Sequence, residues 1–225
     1  MRDLRPDLVD LWRAPPVGPA VMFVAARSGE GTTSIAASSA LIAAEHARRV
    51  AWLVDLDFQR NSAFRGFEAG FAEAAGPPGE AYNANLGDTP PCVVIGGGSA
   101  EHRSAGKLLT AHPILRTRLL VTRFRNERLF EGERAAFQAR PAWWRALKRS
   151  ADWIIVDAPA LDRSTAALVA AGTMDAVFLV VSADRTEPRT VEALAAEIAA
   201  HGGAVAGVVL NRRRSDARFV DRISA

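Results

Sequence analysis

The sequence predicts an α/β protein, a doubly wound and mainly parallel sheet with helices on both faces. Three observations lead there. Six short runs are apolar without alternation, which marks strands buried on both faces. Helical patterns fit between several of them, the alternation expected of a parallel sheet. Turn chemistry closes each run, and 225 residues with 49% hydrophobic content suffice for one such domain over residues 1–225.

The runs are "AVMFVAA" (20–26), "RVAWLVDLD" (49–57), "RLLVTRF" (118–124), "WIIVDAPA" (153–160), "DAVFLVVSAD" (175–184) and "AVAGVVLNR" (204–212). Helices are expected at about 32–48, 141–151, 163–172 and 188–201, the last opening with Pro188 in a first-turn position. Residues 58–117 break the pattern. "AAGPPGEAYNANLGDTPP" (74–91) and "GGGSAEHRSAG" (96–106) are rich in Gly, Pro and small polar residues, and only "CVVI" (92–95) offers an extra strand. The expectation is an irregular surface excursion.

Composition narrows the function classes. The net charge of +3 comes from scattered Arg, so no specific nucleic-acid partner is expected. One cysteine, Cys92, excludes an internal disulfide and a Cys-based zinc cluster. The opening "MRDLRPDLVD" has no apolar core of the secretory kind, and no apolar segment reaches the roughly 18–20 residues that cross a bilayer. The chain reads as cytoplasmic, with any membrane role running through a partner or a surface contact.

The chemistry concentrates in "AARSGEGTTSIAAS" (25–38), a glycine-rich turn between an apolar run and a helical one. In a phosphate loop, glycines turn backbone N–H groups toward a phosphate, the next helix adds its N-terminal dipole, a hydroxyl binds Mg²⁺, and a lysine bridges the phosphates. Gly29, Gly31 and Thr33 fit that scheme, whereas Thr32 stands where the lysine belongs. Losing a charge-assisted contact weakens binding about 10- to 150-fold. A strand-to-helix turn without a ligand is the alternative from this segment alone. Asp55, Asp57 and Asp157 end two further runs, in the crevice where parallel sheets bind ligands, and are suited to Mg²⁺ and its waters. Any one of them alone reads as a turn former.

Taken together, these segments resemble the MinD/ParA-type ATPases with a deviant Walker motif, and within them the bacterial tyrosine-kinase (BY-kinase) domains of capsule and exopolysaccharide systems. "SGEGTTS" (28–34) is similar to the group's "PGEGKST", "VDLDFQR" (54–60) to its "DxDxR" segment, and "WIIVDAPALDRS" (153–164) to its "DxxPxxxxxD" segment. "DAVFLVVSADRT…GVVLNRR" (175–213) follows its closing strands. The match covers about 18–60 and 118–213.

The resemblance implies a P-loop NTPase fold and an ATP/ADP site with Mg²⁺. It implies nucleotide contacts from Arg27, Ser28, Gly29, Glu30, Gly31, Thr32, Thr33, Ser34, Asn211 and Arg212, with Asn211 at the adenine. Thr33, Asp55, Asp57 and Asp157 would serve the metal, and Asp55 and Asp57 the catalytic step. Arg27 takes the place of the group's signature lysine. The implied partner is an inner-membrane polysaccharide co-polymerase or chain-length regulator, with recruitment to the inner membrane face and a possible homodimer.

The departures bear on activity. A C-terminal tyrosine cluster is missing, since the only tyrosine is Tyr82, and "DLVDLWR" (7–13) keeps only the last Arg of the ring-forming helix motif. Autophosphorylation is therefore not expected, and at most a weak ATPase remains. A ParA/MinD-like positioning ATPase and a ligand-free scaffold of the same fold are the alternatives. Trp143 and Trp144 read as helix-to-sheet packing, and the four histidines show no metal spacing.

Overall fold

A computed structural model describes residues 18–86, 90–96, 108–183 and 185–212, and in it the six apolar runs all become strands of one sheet. The expectations for 7–13, 87–89, 97–106, Asp184 and the chain beyond Arg212 lie outside the described residues. In chain order the elements are β1 (Ala20–Val24), α1 (Thr32–His46), β2 (Ala51–Asp55), α2 (Ser62–Glu68), α3 (Ala72–Ala75), β3 (Tyr82–Asn83), β4 (Cys92–Gly96) and β5 (Leu109–Ile114). They continue with β6 (Leu119–Phe124), β7 (Glu133–Phe137), α4 (Pro141–Ser150), β8 (Trp153–Asp157), α5 (Ala166–Ala171), β9 (Ala176–Ser182), α6 (Pro188–Ala200) and β10 (Val205–Asn211).

The strand order is β10-β9-β1-β8-β2-β6-β5-β3, parallel from β10 to β6 and antiparallel for β5 and β3. β1 lies between β8 and β9, with Met22 opposite Val156 and Val177. Successive residues of β1 feed two cores. Met22 and Val24 join Trp143, Trp144 and Leu147 of α4 on one face. Val21 and Phe23 join Ala36, Ala37, Ala40, Ala43 and Ala44 of α1 on the other, with Phe64 and Phe67 of α2. This is why the strands are apolar throughout and why α1 is alanine-rich: small residues on its buried stripe let the helix lie close against the sheet. The tryptophans pack as expected, fully buried, with Trp143 Nε1 donating to the Ala84 carbonyl at 3.0 Å.

The described residues of 58–117 hold more regular structure than their composition suggests. They contribute α2, α3, β3, β4 and β5, and β5 pairs along its whole length with β6. Its sequence, Leu-Thr-Ala-His-Pro-Ile, hides a strand because its polar members find partners inside: His112 Nδ1 bonds the Gly79 carbonyl at 3.0 Å, and Thr110 Oγ1 donates to the Arg123 carbonyl at 3.0 Å. "CVVI" does form a strand, but β4 pairs with β7 in a separate two-stranded sheet. α5 begins at Ala166, three residues later than expected, because residues 160–165 form a turn beside the glycine loop. β10, read as buried on both faces, is the sheet's edge strand, and Val208 and Leu210 are about half exposed.

Candidate nucleotide site

The glycine loop joins the carboxyl end of β1 to α1. Gly29 and Gly31 have φ of 86° and 93°, left-handed values that L side chains rarely adopt, and this backbone turns the chain into the helix. Ile35 is the first amide of α1 with a backbone acceptor, the Gly31 carbonyl at 3.1 Å, and no side chain caps the first turn. The amides ahead of it carry the positive end of a 15-residue helix, a suitable seat for an anion. The loop is braced from behind. Glu30 is buried, with its carboxylate accepting the Arg27 N–H at 3.1 Å and the Thr186 hydroxyl, and its carbonyl accepting Asn211 Nδ2 at 2.8 Å.

Across from the loop, β2 and β8 end side by side, with Asp55 paired to Asp157 in register. Burial pushes the Asp157 carboxyl up to about 7, with the charge of Asp57 adding to the rise and a hydrogen bond from the Thr33 hydroxyl opposing it. Asp55 is raised well above the ordinary carboxylate range, first by burial and then by the charge of Asp157. Its oxygens accept the Asp57 N–H and the Ala63 N–H, each at 2.8 Å, so Asp55 ties the turn after β2 to the start of α2. Carboxylates kept so far from their solution behaviour at the carboxyl edge of a parallel sheet suit a cation.

A cavity of about 160 Å³ opens between loop and carboxylates, lined by Gly29, Thr32, Thr33, Asp57, Asp157 and Arg163 among others. It brings together Arg27, Ser28, Gly29, Gly31, Thr32, Thr33, Ser34, Asp57 and Asp157. Asp55 is buried and does not line it. Glu30 points away from it toward Thr186, and Asn211 and Arg212 stand outside its lining, Asn211 being turned onto the back of the loop. Among the described residues, no group of three or more His, Cys, Asp or Glu side chains is arranged to hold a metal ion. Thr33 and Asp157 in contact, with Asp57 in the same wall, nonetheless fit Mg²⁺, which takes few protein ligands and completes its shell with water and phosphate oxygens.

Three side chains absent from the expected set shape the site. Asp162 accepts the Ser28 N–H at 2.9 Å and the Ser28 hydroxyl at 3.0 Å, fastening the turn after β8 to the loop. Arg163, next in that turn, places Nη2 3.0 Å from Asp57 Oδ2. Thr186 closes on Glu30. Asp162 and Arg163 stood inside a recognised segment, but nothing in their spacing says that the turn bends back onto the loop.

No protein-family model matches the sequence, and a search of curated proteins finds no match. Solved structures do. The VpsO kinase domain aligns over 95% of this chain and 97% of its own at a TM-score of 0.55 and 17% identity. The kinase domain of Escherichia coli tyrosine kinase ETK aligns over 95% and 75% at 0.57 and 17%. An ATP complex of McdA from Cyanothece aligns over 92% and 77% at 0.52 and 15%. At these identities the likeness is one of fold, the mainly parallel α/β sheet that this chain shares with the VpsO and ETK kinase domains and with McdA.

Proposed function

We propose that this chain is a BY-kinase-like P-loop subunit that assists the synthesis or export of an exopolysaccharide or capsule-type polymer. It binds adenine nucleotide with Mg²⁺ weakly and is not an autophosphorylating tyrosine kinase. The observation that carries the reading is the glycine loop with its uncapped helix terminus facing the Thr33–Asp157 contact across one cavity. Phosphates would take the loop amides. Thr33, Asp157 and Asp57 would hold Mg²⁺, which when bound neutralises phosphate charge, and Asp57 would orient the attacking group. The absent loop lysine makes binding about 10- to 150-fold weaker than that charge-assisted contact would allow.

The polysaccharide assignment rests on the resemblance of residues 28–34, 54–60 and 153–164 to the motifs of that branch. Among the described residues no helix is long and apolar enough to cross a membrane. Action at the inner membrane face would therefore come through a co-polymerase or chain-length regulator, with this chain as a nucleotide-gated adaptor, alone or as a homodimer. Deleting the gene and measuring exported polymer tests the reading. Export falls, the wild-type gene restores it, and Asp157→Asn does not. Unchanged export in the deletion strain contradicts the assignment.

A second reading, a positioning ATPase of the ParA/MinD kind, is favoured by the likeness to McdA in its ATP complex. It predicts normal export together with a mislocalised cargo in the same deletion strain.

A further inference from the structure

A phosphate site that lacks its lysine and faces two aspartates, Asp57 and Asp157, needs a cation from elsewhere. Lys148, the one lysine among the described residues, is committed at the wrong end of the sheet. It pairs at 2.7 Å with Asp175, whose carboxylate also binds the Ala20 N–H at the amino end of β1. Arg27 and Arg163 are the cations that line the loop cavity. Arg27 is exposed on the loop and is tied to it through its backbone N–H.

Arg163 is exposed too, but its guanidinium is held by Asp57. Its turn is fastened to the glycine loop at four points: Leu161 N to Ala25 O at 3.1 Å, Asp162 N to Ala26 O at 3.2 Å, and the two bonds from Ser28 to Asp162. The backbone that carries Arg163 is therefore fixed relative to the loop. Nη2 serves Asp57, and a planar guanidinium offers further N–H donors that suit a phosphate oxygen.

The geometry points to Arg163 as the residue that neutralises bound phosphate in place of the missing lysine, shared between the nucleotide and Asp57. The assignment rests on the nucleotide-binding reading above. Because it acts on the phosphate chain, removing it costs more for a diphosphate than for a monophosphate.

Calorimetric titration of ADP and AMP, each with Mg²⁺, into the wild type, Arg163→Ala, Arg163→Lys, Arg27→Ala and Thr32→Lys/Arg163→Ala tests it. Thermal unfolding confirms that each variant is folded. ADP affinity is expected to fall at least about tenfold in Arg163→Ala, with a smaller loss for AMP. Arg163→Lys recovers part of the loss, Arg27→Ala loses less than Arg163→Ala, and the double variant regains ADP binding. Wild-type ADP affinity in Arg163→Ala, or equal losses for ADP and AMP, overturns the role of Arg163 and leaves the nucleotide reading intact. Absence of ADP binding to the wild type overturns both.

Discussion

The Arg163 guanidinium lies 3.0 Å from the Asp57 carboxylate, joining the turn after β8 to the turn after β2 in the wall of the loop cavity. Such a partly exposed pair adds little to folding. Arg163→Ala is expected to change unfolding stability by less than about 1 kcal/mol. Urea unfolding measures this, and a larger loss would mean that the ion pair serves mainly to hold the two turns together.

The buried carboxylates make the protein pH-sensitive. Their folded pKa values lie above the ordinary 3.8, Asp157 at about 7, so the folded state binds these protons more tightly than the unfolded state. For Asp157, the stability this contributes is fully present below about pH 3.8 and is lost progressively as pH rises to about 7. Asp157→Asn, with no charge to bury, is expected to be more stable than the wild type by about 1–3 kcal/mol at pH 8 and to show no such gain near pH 4. Urea midpoints across that range give the difference profile. An equal gain at both ends would show that Asp157 does not titrate between them.

The two loop glycines separate geometry from space. A Cβ at Gly31 collides with the Asn211 side chain, whereas one at Gly29 meets nothing within 4 Å. Both positions carry the left-handed φ penalty of about 1–2 kcal/mol. Gly31→Ala is expected to cost at least about 1 kcal/mol more than Gly29→Ala, because Asn211 must also leave the Glu30 carbonyl. Equal melting temperatures for the two variants contradict the Asn211 brace.

Asn61 replaces a stretch of strand. At φ 50° its amide donates to the Phe124 carbonyl at 2.9 Å and its Oδ1 accepts the Phe124 N–H at 2.6 Å, both buried. Asn61→Ala leaves these two groups unpaired and is expected to cost about 2–4 kcal/mol in urea unfolding. A loss under about 1 kcal/mol would show that water replaces the amide.

Tyr82 sits on β3, five strands from β1 and roughly 24 Å from it at ordinary strand spacing. No phosphotyrosine is expected after incubation with ATP and Mg²⁺, as read by mass spectrometry. Phosphate on Tyr82 contradicts the account of a non-phosphorylating subunit.

What the sequence made legible follows from which forces act locally. The strands β1, β2, β8 and β9 are buried on both faces, so each is a continuous apolar run, and the glycine loop shows itself because only glycine tolerates its φ values. β5 was hidden because His112 and Thr110 are satisfied by distant partners, and β7 because Glu-Arg-Ala-Ala-Phe is half-buried and pairs only with β4. The exposure of β10 could not be read, since an apolar run looks the same at an edge as at a centre. Asp57 and Asp157 were legible from their place after strands. Arg163 was not, because its meaning lies in a turn bent back onto Ser28.

The central claim is that the loop and its facing carboxylates form a nucleotide site despite Thr32. Calorimetric titration of the wild-type protein with ADP in excess Mg²⁺ tests it most directly. The account predicts a saturable one-to-one isotherm that weakens when Mg²⁺ is chelated and tightens by about 10- to 150-fold in Thr32→Lys. No saturable heat from the wild type at millimolar nucleotide, with or without Mg²⁺, contradicts it.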